Sequence, residues 1–440
     1  MSFIELLEPR TLMNGSILFV RGATRSGGFL NGGTAAQRDD QLADINNTST
    51  TPGNHGWGAL AAALRDAGYT VEQITEPKGN DTGDPVVGRP IRFETIDLTK
   101  YAAIVFGSNN ARYPRASVDA IDAYVRNGGG AIFISDANFG AHWRDAPDSD
   151  QPFLARYGVI VNQDNGVYPL DRSAGDFAAP DHPILRGVDV FDGEGVSAFV
   201  VPAVAPPDVA ITRVVGARDR TRSNDGVDPA ENFSGSLRPV TASDASLVTI
   251  NVGRGRFAGF FDRNTFFNDG GVGSQLSKND NRQLALNLFE WVSDATPPVV
   301  VDDDFTPGAP SELRITFDDA LYGSLTRRDV LLRDPFTAEP VPRTRWSFGV
   351  TESNGQTVMT IKVKGAQPAG LYQMQINPGR IADDSGNRNP KRIRFNFQHD
   401  PSTAAQRVTG TVAPKPNRTR PSLAPSRMTD ELFSEELILA

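Results

Sequence analysis

Polar side chains follow two predicted buried strands, where they could do chemistry. Ser108-Asn109-Asn110 comes after the apolar run Ala102–Gly107, and Asp136-Ala137-Asn138 comes after Ala131–Ser135. The C-terminal ends of parallel strands are the usual ligand site of an open α/β sheet. Asn109, Asp136 and Asn138 are therefore candidates for a binding crevice. The alternative is that these side chains only satisfy backbone groups at turns.

Nucleophilic chemistry has few candidates in this chain. There is no cysteine, which excludes a thiolate nucleophile, disulfides and thiolate metal sites. Ser108 and Ser135 stand at predicted strand ends, but neither lies in a G-x-S-x-G motif. A lone serine at a strand end is common, so the sequence gives no independent reason to assign a catalytic serine.

Metal and nucleotide motifs are equally sparse. The chain has four histidines and no H-E-x-x-H motif. The acid runs Asp302-Asp303-Asp304 and Asp383-Asp384 could bind Ca²⁺ through their oxygens, although turn acids on a β-sandwich are more often solvated. Gly253 and Gly255 lack the strand–turn–helix context of a dinucleotide site and indicate a hairpin turn. No cofactor is predicted.

The elements that must position these residues alternate between strand and helix from Ser16 onward, with a less regular pattern over residues 151–255. A long polar loop, Gly22–His55, interrupts this pattern early, and loops of that length are usually functional or mobile. The alternation predicts a parallel sheet with helices on both faces. The predicted elements are strands at Ser16–Arg21, Thr70–Ile74, Ala102–Gly107 and Ala131–Ser135, helices at Trp57–Ala67, Pro114–Asn127 and Asn281–Val292, and a hairpin of Leu247–Val252 with Arg256–Phe261.

The hydrophobic period changes after Pro297-Pro298. Apolar residues then alternate with polar ones, as in Leu313, Ile315 and Phe317, which predicts a small antiparallel β-sandwich. The predicted organisation is an N-terminal motif at 1–15, an α/β domain at 16–296, a sandwich at 297–400, a disordered Pro- and Arg-rich linker at 401–427 and an acidic tail at 428–440.

Composition narrows the classes of function. The chain has 440 residues, a net charge of −9 and a pI near 5.1, which argues against a nucleic-acid partner. No stretch approaches the roughly 18 apolar residues of a membrane helix, so no transmembrane segment is predicted. The N-terminal residues also lack the basic and apolar regions of a signal peptide, which by itself predicts a cytoplasmic protein.

The segment Leu7-Glu8-Pro9-Arg10-Thr11-Leu12-Met13 resembles the LEPRxLL extracellular motif of planctomycete surface and secreted proteins, with Met in place of the last Leu. The resemblance implies an extracellular or cell-surface location. It therefore opposes the cytoplasmic interpretation, and the two remain alternatives at this point.

Residues 16–294 resemble the class I glutamine-amidotransferase-like fold, nearest its ThuA-like branch. The resemblance is carried by Asp119–Gly130, by Asp181–Gly187 (DHPILRG), and by Gly253–Arg256 together with the helix Asn281–Val292. It implies a flavodoxin-like parallel sheet. The family's cysteine would stand at the turn Ser135–Gly140, which contains none. Glutaminase activity is therefore not expected.

This family resemblance adds further residues to the crevice. It implies that His182, Asp262 and Arg263 converge with Asn109, Asp136 and Asn138, with Asp136 and His182 as a base and its partner if the crevice is catalytic. Separately, residues 298–398 resemble bacterial Ig-like domains of the surface-layer type, through Glu312–Phe317, Gly370–Ile376 and Ile381–Asn387.

Together these observations predict a non-catalytic binding or structural protein of the cell surface, built on an amidotransferase-like scaffold. Its partner would be a small molecule, a carbohydrate or a surface protein. Two alternatives use the same crevice: a hydrolase-type enzyme and a carbohydrate-binding protein.

Overall fold

The protein is described from a computed structural model. The residues that the structure describes are 15–23, 42–77, 88–107, 109, 111–135, 145–162, 167–194, 198–217, 240–269, 274–294, 296–308, 310–321, 323–353, 355–364, 367–383, 385–402 and 408–409. Asp136 and Asn138 lie outside them, as do Ser108, the extracellular-type motif at 7–13, most of the predicted linker and the acidic tail.

The first part of the chain alternates strands and helices, as predicted. Its strands are β1 (Ser16–Arg21), β2 (Thr70–Thr75), β3 (Tyr101–Phe106), β4 (Gly130–Ile134), β5 (Ile160–Val161), β6 (Val167–Asp171), β7 (Val190–Glu194), β8 (Phe199–Val200), β9 (Val209–Gly216), β10 (Ala245–Val252) and β11 (Gly255–Phe260). Its helices are α1 (Gly58–Asp66), α2 (Arg115–Arg126), α3 (Asp145–Leu154) and α4 (Asn281–Ser293). Short 3₁₀ turns lie at Phe93–Thr95, Leu98–Lys100, Ala155–Tyr157, Pro183–Leu185 and Asn264–Phe266.

Nine of these strands form one large sheet in the order β2-β1-β3-β4-β11-β10-β8-β5, with β9 also paired to β10. The five strands from β2 to β11 are parallel, and β10 and its neighbours are antiparallel. Strands β1, β3 and β4 are almost entirely buried because helices flank the sheet, which explains their continuous apolar runs, whereas the residues of the edge strand β2 are exposed or half-buried. The predicted α/β class is confirmed. β6 and β7 form a separate hairpin.

Helix α2 shows how the sheet is covered. Val118, Ile121 and Val125 recur at helical spacing and are all buried, while Arg115 is exposed. The helix ends before Gly128, whose φ of +105° suits a glycine after a helix C-terminus. The chain then enters β4 directly, so the loop after β4 emerges at the opposite edge of the sheet.

The second part of the chain consists of antiparallel sheets consistent with a β-sandwich. Its strands are β12 (Val300–Thr306), β13 (Ser311–Phe317), β14 (Val330–Arg333), β15 (Trp346–Ser353), β16 (Gln356–Val363), β17 (Gly370–Ile376), β18 (Ile393–His399) and β19 (Val408–Thr409), with a 3₁₀ turn at Arg343–Arg345. One sheet has the order β15-β16-β13-β12-β19 and the other β14-β17-β18. The alternation of Leu313, Ile315 and Phe317 corresponds to buried positions of β13, as expected.

Two details differ from the sequence prediction. Asp302, Asp303 and Asp304 belong to strand β12 instead of a turn, because that strand pairs with β13 on one side. Val408 and Thr409, inside the predicted linker, pair with Phe305 and Asp304 on the other side of β12.

The two parts have separate hydrophobic cores. One cluster draws its buried residues from Ile17 to Val292 and the other from Leu313 to Phe397. A domain boundary near residue 297 remains the prediction from the sequence.

Among the described residues, none of the helices has the length and apolar character needed to cross a membrane.

Candidate functional site

The C-terminal edge of the parallel strands gathers buried polar and charged side chains. Arg21 ends β1, Glu76 follows β2, and Ser135 follows β4, and each is less than a tenth exposed. Asn109 lies three residues beyond β3 and Arg263 three residues beyond β11, and both are also buried. Charged groups are rarely buried without a specific environment, so this edge is the candidate site.

At the centre of this edge is a trio of Asn109, Ser135 and Asp150, which we call the edge trio. Asn109 Nδ2 donates to Asp150 Oδ1 at 2.9 Å, and Ser135 Oγ donates to Asp150 Oδ2 at 2.7 Å. All three residues are fully buried. Helix α3 supplies the carboxylate and the ends of two strands supply the donors, so the trio joins three elements.

Burial controls the ionisation of the edge trio. It raises the pKa of Asp150 to about 7, although the hydrogen bonds from Asn109 and Ser135 and the charge of Arg263 oppose the rise. The charge of Glu76 acts in the same direction as burial. Asp150 can therefore hold or release a proton near neutral pH, which an ordinary aspartate cannot do.

Glu76 is held by a neighbouring tyrosine. Tyr113 Oη donates to Glu76 Oε1 at 2.6 Å, and burial raises the pKa of Tyr113 well above its usual value. Tyr113 also lines a cavity of about 450 Å³ together with Arg112, Gln151, Pro152 and Ala155. Gln151 directly follows Asp150 on α3, but none of the three residues of the edge trio lines this cavity.

The other side of the edge is formed by the end of the long loop that precedes α1. The His55 ring stacks on Phe267 with centroids 4.3 Å apart, and Trp57 Nε1 donates to the carbonyl of Arg263 at 3.3 Å. Burial, helped by the charge of Arg263, lowers the pKa of His55 to about 4. His55 is therefore neutral at pH 7, and its ring can act as a hydrogen-bonding group without adding charge.

A second trio of the same residue types provides a comparison within the chain. In this trio, which we call the scaffold trio, Asn281 Nδ2 and Ser274 Oγ each donate to Asp192 Oδ1 at 2.9 Å. Asn281 Oδ1 accepts from the Asp192 backbone N–H at 3.1 Å, and Lys278 forms an ion pair with Asp192. The scaffold trio thus has a donor for its amide oxygen and a counter-charge for its carboxylate.

The edge trio lacks both of these features. Asn109 Oδ1 is buried and accepts no hydrogen bond from any residue that the structure describes. Within the same residues Asp150 forms no ion pair, although Arg263 acts on it at longer range. A buried acceptor without a donor costs about 1–3 kcal/mol. The edge trio is therefore less fully bonded than a purely structural network of the same composition.

The structure brings some of the sequence-predicted residues to this edge. Asn109 and Arg263 are there, and Ser135, proposed only as a nucleophile candidate, is in the trio. Asp262 is also at the end of β11, but its carboxylate accepts from the N–H groups of Asn264 (2.8 Å) and Thr265 (3.2 Å). It therefore stabilises the local turn, as the simpler alternative expects.

His182 is not brought to this group. Its Nδ1 accepts from the Ile184 N–H at 3.3 Å, its Nε2 lies 3.5 Å from Thr249 Oγ1, and its ring packs against Trp291. Burial and the charge of Arg256 lower the pKa of His182 to about 4. Arg256 is near the beginning of β11, whereas Arg263 follows its end. His182 thus lies towards the opposite end of that strand, where the 3₁₀ turn Pro183–Leu185 anchors it.

Sequence reasoning missed three members of the site. Glu76 could have been found, because it follows a predicted strand in the same way as Asn109. His55 stands at the end of the long loop that was singled out for its length. No sequence pattern pointed to Asp150, because α3 (DAPDSDQPFL) has an internal proline and weak apolar periodicity, so the helix itself was not predicted.

Metal binding finds no support in the acid runs. Across the described ranges, no group of three or more His, Asp or Glu residues is arranged to hold a metal ion. Asp383 instead uses both carboxylate oxygens to accept from Asn387, and Asp384 lies outside the described residues.

Comparison with known proteins gives distant structural neighbours. The N-terminal domain of mmIFT52 superposes with a TM-score of 0.38 at 14% identity, covering 63% of this chain and 97% of that one. A putative ThuA-like protein from Parabacteroides merdae superposes with a TM-score of 0.33 at 14% identity, covering 64% of this chain and 90% of that one. No family model matches the sequence. No curated protein matches it significantly either.

Proposed function

We propose that the protein binds a small polar ligand at the edge trio and does so without chemical turnover. The observation that carries the proposal is the buried Asn109 Oδ1, which has no donor among the described residues. A ligand hydroxyl or amine would supply that donor and remove the cost of the unsatisfied acceptor. Helix α3, which supplies Asp150, also supplies Gln151 and Pro152 to the cavity that Tyr113 lines.

The chemistry of the trio favours a hydroxyl-bearing ligand of the polyol or carbohydrate class. Asn109 Oδ1 can only accept a hydrogen bond, and Asp150 can accept one when ionised or donate one when protonated. Hydroxyl groups both donate and accept, so they satisfy either state of the carboxyl group.

We also propose a cell-surface or secreted location, supported by the resemblance of Leu7–Met13 to an extracellular motif.

Replacing Asn109 should weaken this binding. We expect a panel of neutral monosaccharides and polyols, read by chemical-shift changes in the full chain, to contain binders of the wild-type protein. Asn109→Ala should weaken them at least about tenfold, since a buried hydrogen bond contributes about 1.5 kcal/mol.

The matched control is Ser274→Ala, which removes one member of the scaffold trio. It should lower stability by about 1 kcal/mol and leave binding unchanged. Binding that survives Asn109→Ala, or a wild-type protein that binds none of these probes, would contradict the proposal.

A hydrolase is the second candidate, favoured by one observation. Ser135 Oγ lies 2.7 Å from a carboxylate whose pKa is raised to about 7, so Asp150 could serve as a base towards that hydroxyl. The binding proposal instead expects no ester hydrolysis with p-nitrophenyl acetate and no ammonia release from glutamine above a buffer control. Turnover that disappears in both Ser135→Ala and Asp150→Asn would favour the enzyme.

A further inference from the structure

Strand β15 of the sandwich has one side that no other described strand covers. It lies at the end of the five-stranded sheet and pairs along its whole length with β16, without a bulge. The opposite end of the sheet is covered by β19. Sheets usually protect a bare edge with lysine, proline or a bulge, but the sequence of β15, WSFGVTES, has neither lysine nor proline. The free side of β15 can therefore accept a further strand.

The hairpin of β15 and β16 determines which backbone groups lie on this free side. Ser353 pairs with Gln356 across a two-residue connection, and Gly355 within it has a φ of +70°, as in the tight turns of two-residue hairpins. The residues that flank such a turn exchange both of their backbone hydrogen bonds, and every second pair before them does the same. The intervening residues of β15 direct their N–H and C=O groups away from β16. They are Trp346, Phe348, Val350 and Glu352.

The contacts of Trp346 agree with this assignment. Arg327, which lies outside the sheet, donates from Nη2 to the Trp346 carbonyl at 2.5 Å, and its guanidinium lies 4.5 Å from the centre of the Trp346 ring. The carbonyl of Trp346 thus receives a side chain on the free side of the strand. Arg327 closes the free side at Trp346, whereas the described residues offer no partner there at Phe348 and Val350.

The side chains of β15 are apolar on one face and small on the other. Phe348 and Val350 are half-buried against the sandwich core. Gly349, on the other face, is exposed, and no described atom lies within 4 Å of the position that a Cβ would take there. The ion pairs within the described part of the sandwich include neither Arg327 nor Glu352. Within those residues, each copy of the chain thus has a cation and an anion without an ionic partner beside the free side.

We propose that β15 pairs with β15 of a second copy of this chain, antiparallel and about a twofold axis that passes Gly349. Phe348 of each copy is then opposite Val350 of the other, and each of these pairs exchanges two backbone hydrogen bonds. The half-buried apolar side chains become covered, and the two five-stranded sheets join into one. The proposal concerns the sandwich alone and is independent of the ligand site in the α/β part.

Charge complementarity selects the register of this pairing. About an axis at Gly349, Glu352 of each copy is opposite Trp346 of the other, on the face where Arg327 lies over the ring. The carboxylate of one copy therefore pairs with the guanidinium of the other, and symmetry repeats this contact. A shift of the register by two residues in either direction would move Glu352 away from Trp346 and lose both ion pairs.

The absence of native cysteine allows the register to be tested with single introduced thiols in the full chain. Opposite residues that lie between the hydrogen-bonded pairs have Cα atoms about 4.5 Å apart, which a disulfide can span. Gly349→Cys should therefore form a covalent dimer in oxidised glutathione. Ser347→Cys should form none, since the two copies of residue 347 would lie about 14 Å apart. An equal mixture of Ser347→Cys and Thr351→Cys should form the mixed dimer, because residue 347 is opposite residue 351.

Sedimentation without cross-linking measures the association itself. A contact of this size is weak, so the average mass of the wild-type chain should rise from one copy towards two between about 10 µM and 1 mM. Gly349→Lys places two like charges at the axis while meeting no described atom within one copy, and it should keep the mass of one copy.

Three results would overturn the proposal. The first is a wild-type chain that keeps the mass of one copy at the highest concentration. The second is Ser347→Cys cross-linking as readily as Gly349→Cys. The third is a single copy in which the N–H groups of Phe348 and Val350 are protected from hydrogen exchange, since a segment of the same chain would then occupy the free side.

Discussion

Gly255→Ala should destabilise the α/β part by roughly 4 kcal/mol, a large effect for a single methyl group. A Cβ at Gly255 would overlap the backbone carbonyl oxygens of Val125 and Gly129. Neither oxygen can rotate away as a side chain can, because both belong to the segment that ends α2 and enters β4. Relief would require β11 to move away from its hydrogen-bonded partners.

Gly349→Ala is the matched control for this prediction. Gly349 also lies in a strand, but no atom of the described residues lies within 4 Å of the position that a Cβ would take there, and the residue is exposed. The free energy of unfolding of Gly349→Ala should differ from that of the wild-type protein by less than about 0.5 kcal/mol. Urea unfolding of both variants measures the difference. If Gly255→Ala lowered the free energy of unfolding by less than about 1 kcal/mol, the hairpin of β10 and β11 would be able to move away from the added methyl group. That result would contradict the expected overlap with the backbone oxygens.

The parallel sheet could be predicted because strands such as β1, β3 and β4 are buried on both faces. Ser16–Arg21 has the same bounds in sequence and structure, and α4 differs by one residue at its end. The strands β6 and β7 were not predicted, since their hairpin lies outside the sheet and Pro169 interrupts its pattern. The acidic residues of β12 lack the apolar alternation that predicts a strand. Their strand conformation is stabilised instead by backbone pairing of β12 with β13 and β19.

The candidate site was predictable only where a side chain follows directly from a strand. This rule finds Asn109 and Ser135, since strand ends meet at one edge of the sheet by topology alone. It cannot find Asp150, which reaches the same point from a helix. His182 was expected at this edge from the family resemblance instead, and a resemblance in sequence order does not fix towards which end of the strands the turn Pro183–Leu185 lies.

The ionisation of Asp150 should make the stability of the protein depend on pH in a way that Asp150→Asn removes. An aspartate in the unfolded chain has a pKa of about 3.9, and burial raises that of Asp150 to about 7. The folded state therefore retains a proton that the unfolded state has lost. The stabilisation is complete below about pH 4 and is lost as the pH rises to about 7, a change of about 4 kcal/mol for some three pKa units.

The measurement is the free energy of unfolding in urea for the wild-type protein and Asp150→Asn at each pH from 4 to 8. Groups shared by both proteins cancel in the difference, so the wild-type protein should lose about 4 kcal/mol relative to the variant over this range. Asp302→Asn, at an exposed residue, should give a flat difference. If the Asp150→Asn difference were also flat, Asp150 would be ionised throughout, and the edge trio would have to contain a counter-charge that pairs with it as Lys278 pairs with Asp192.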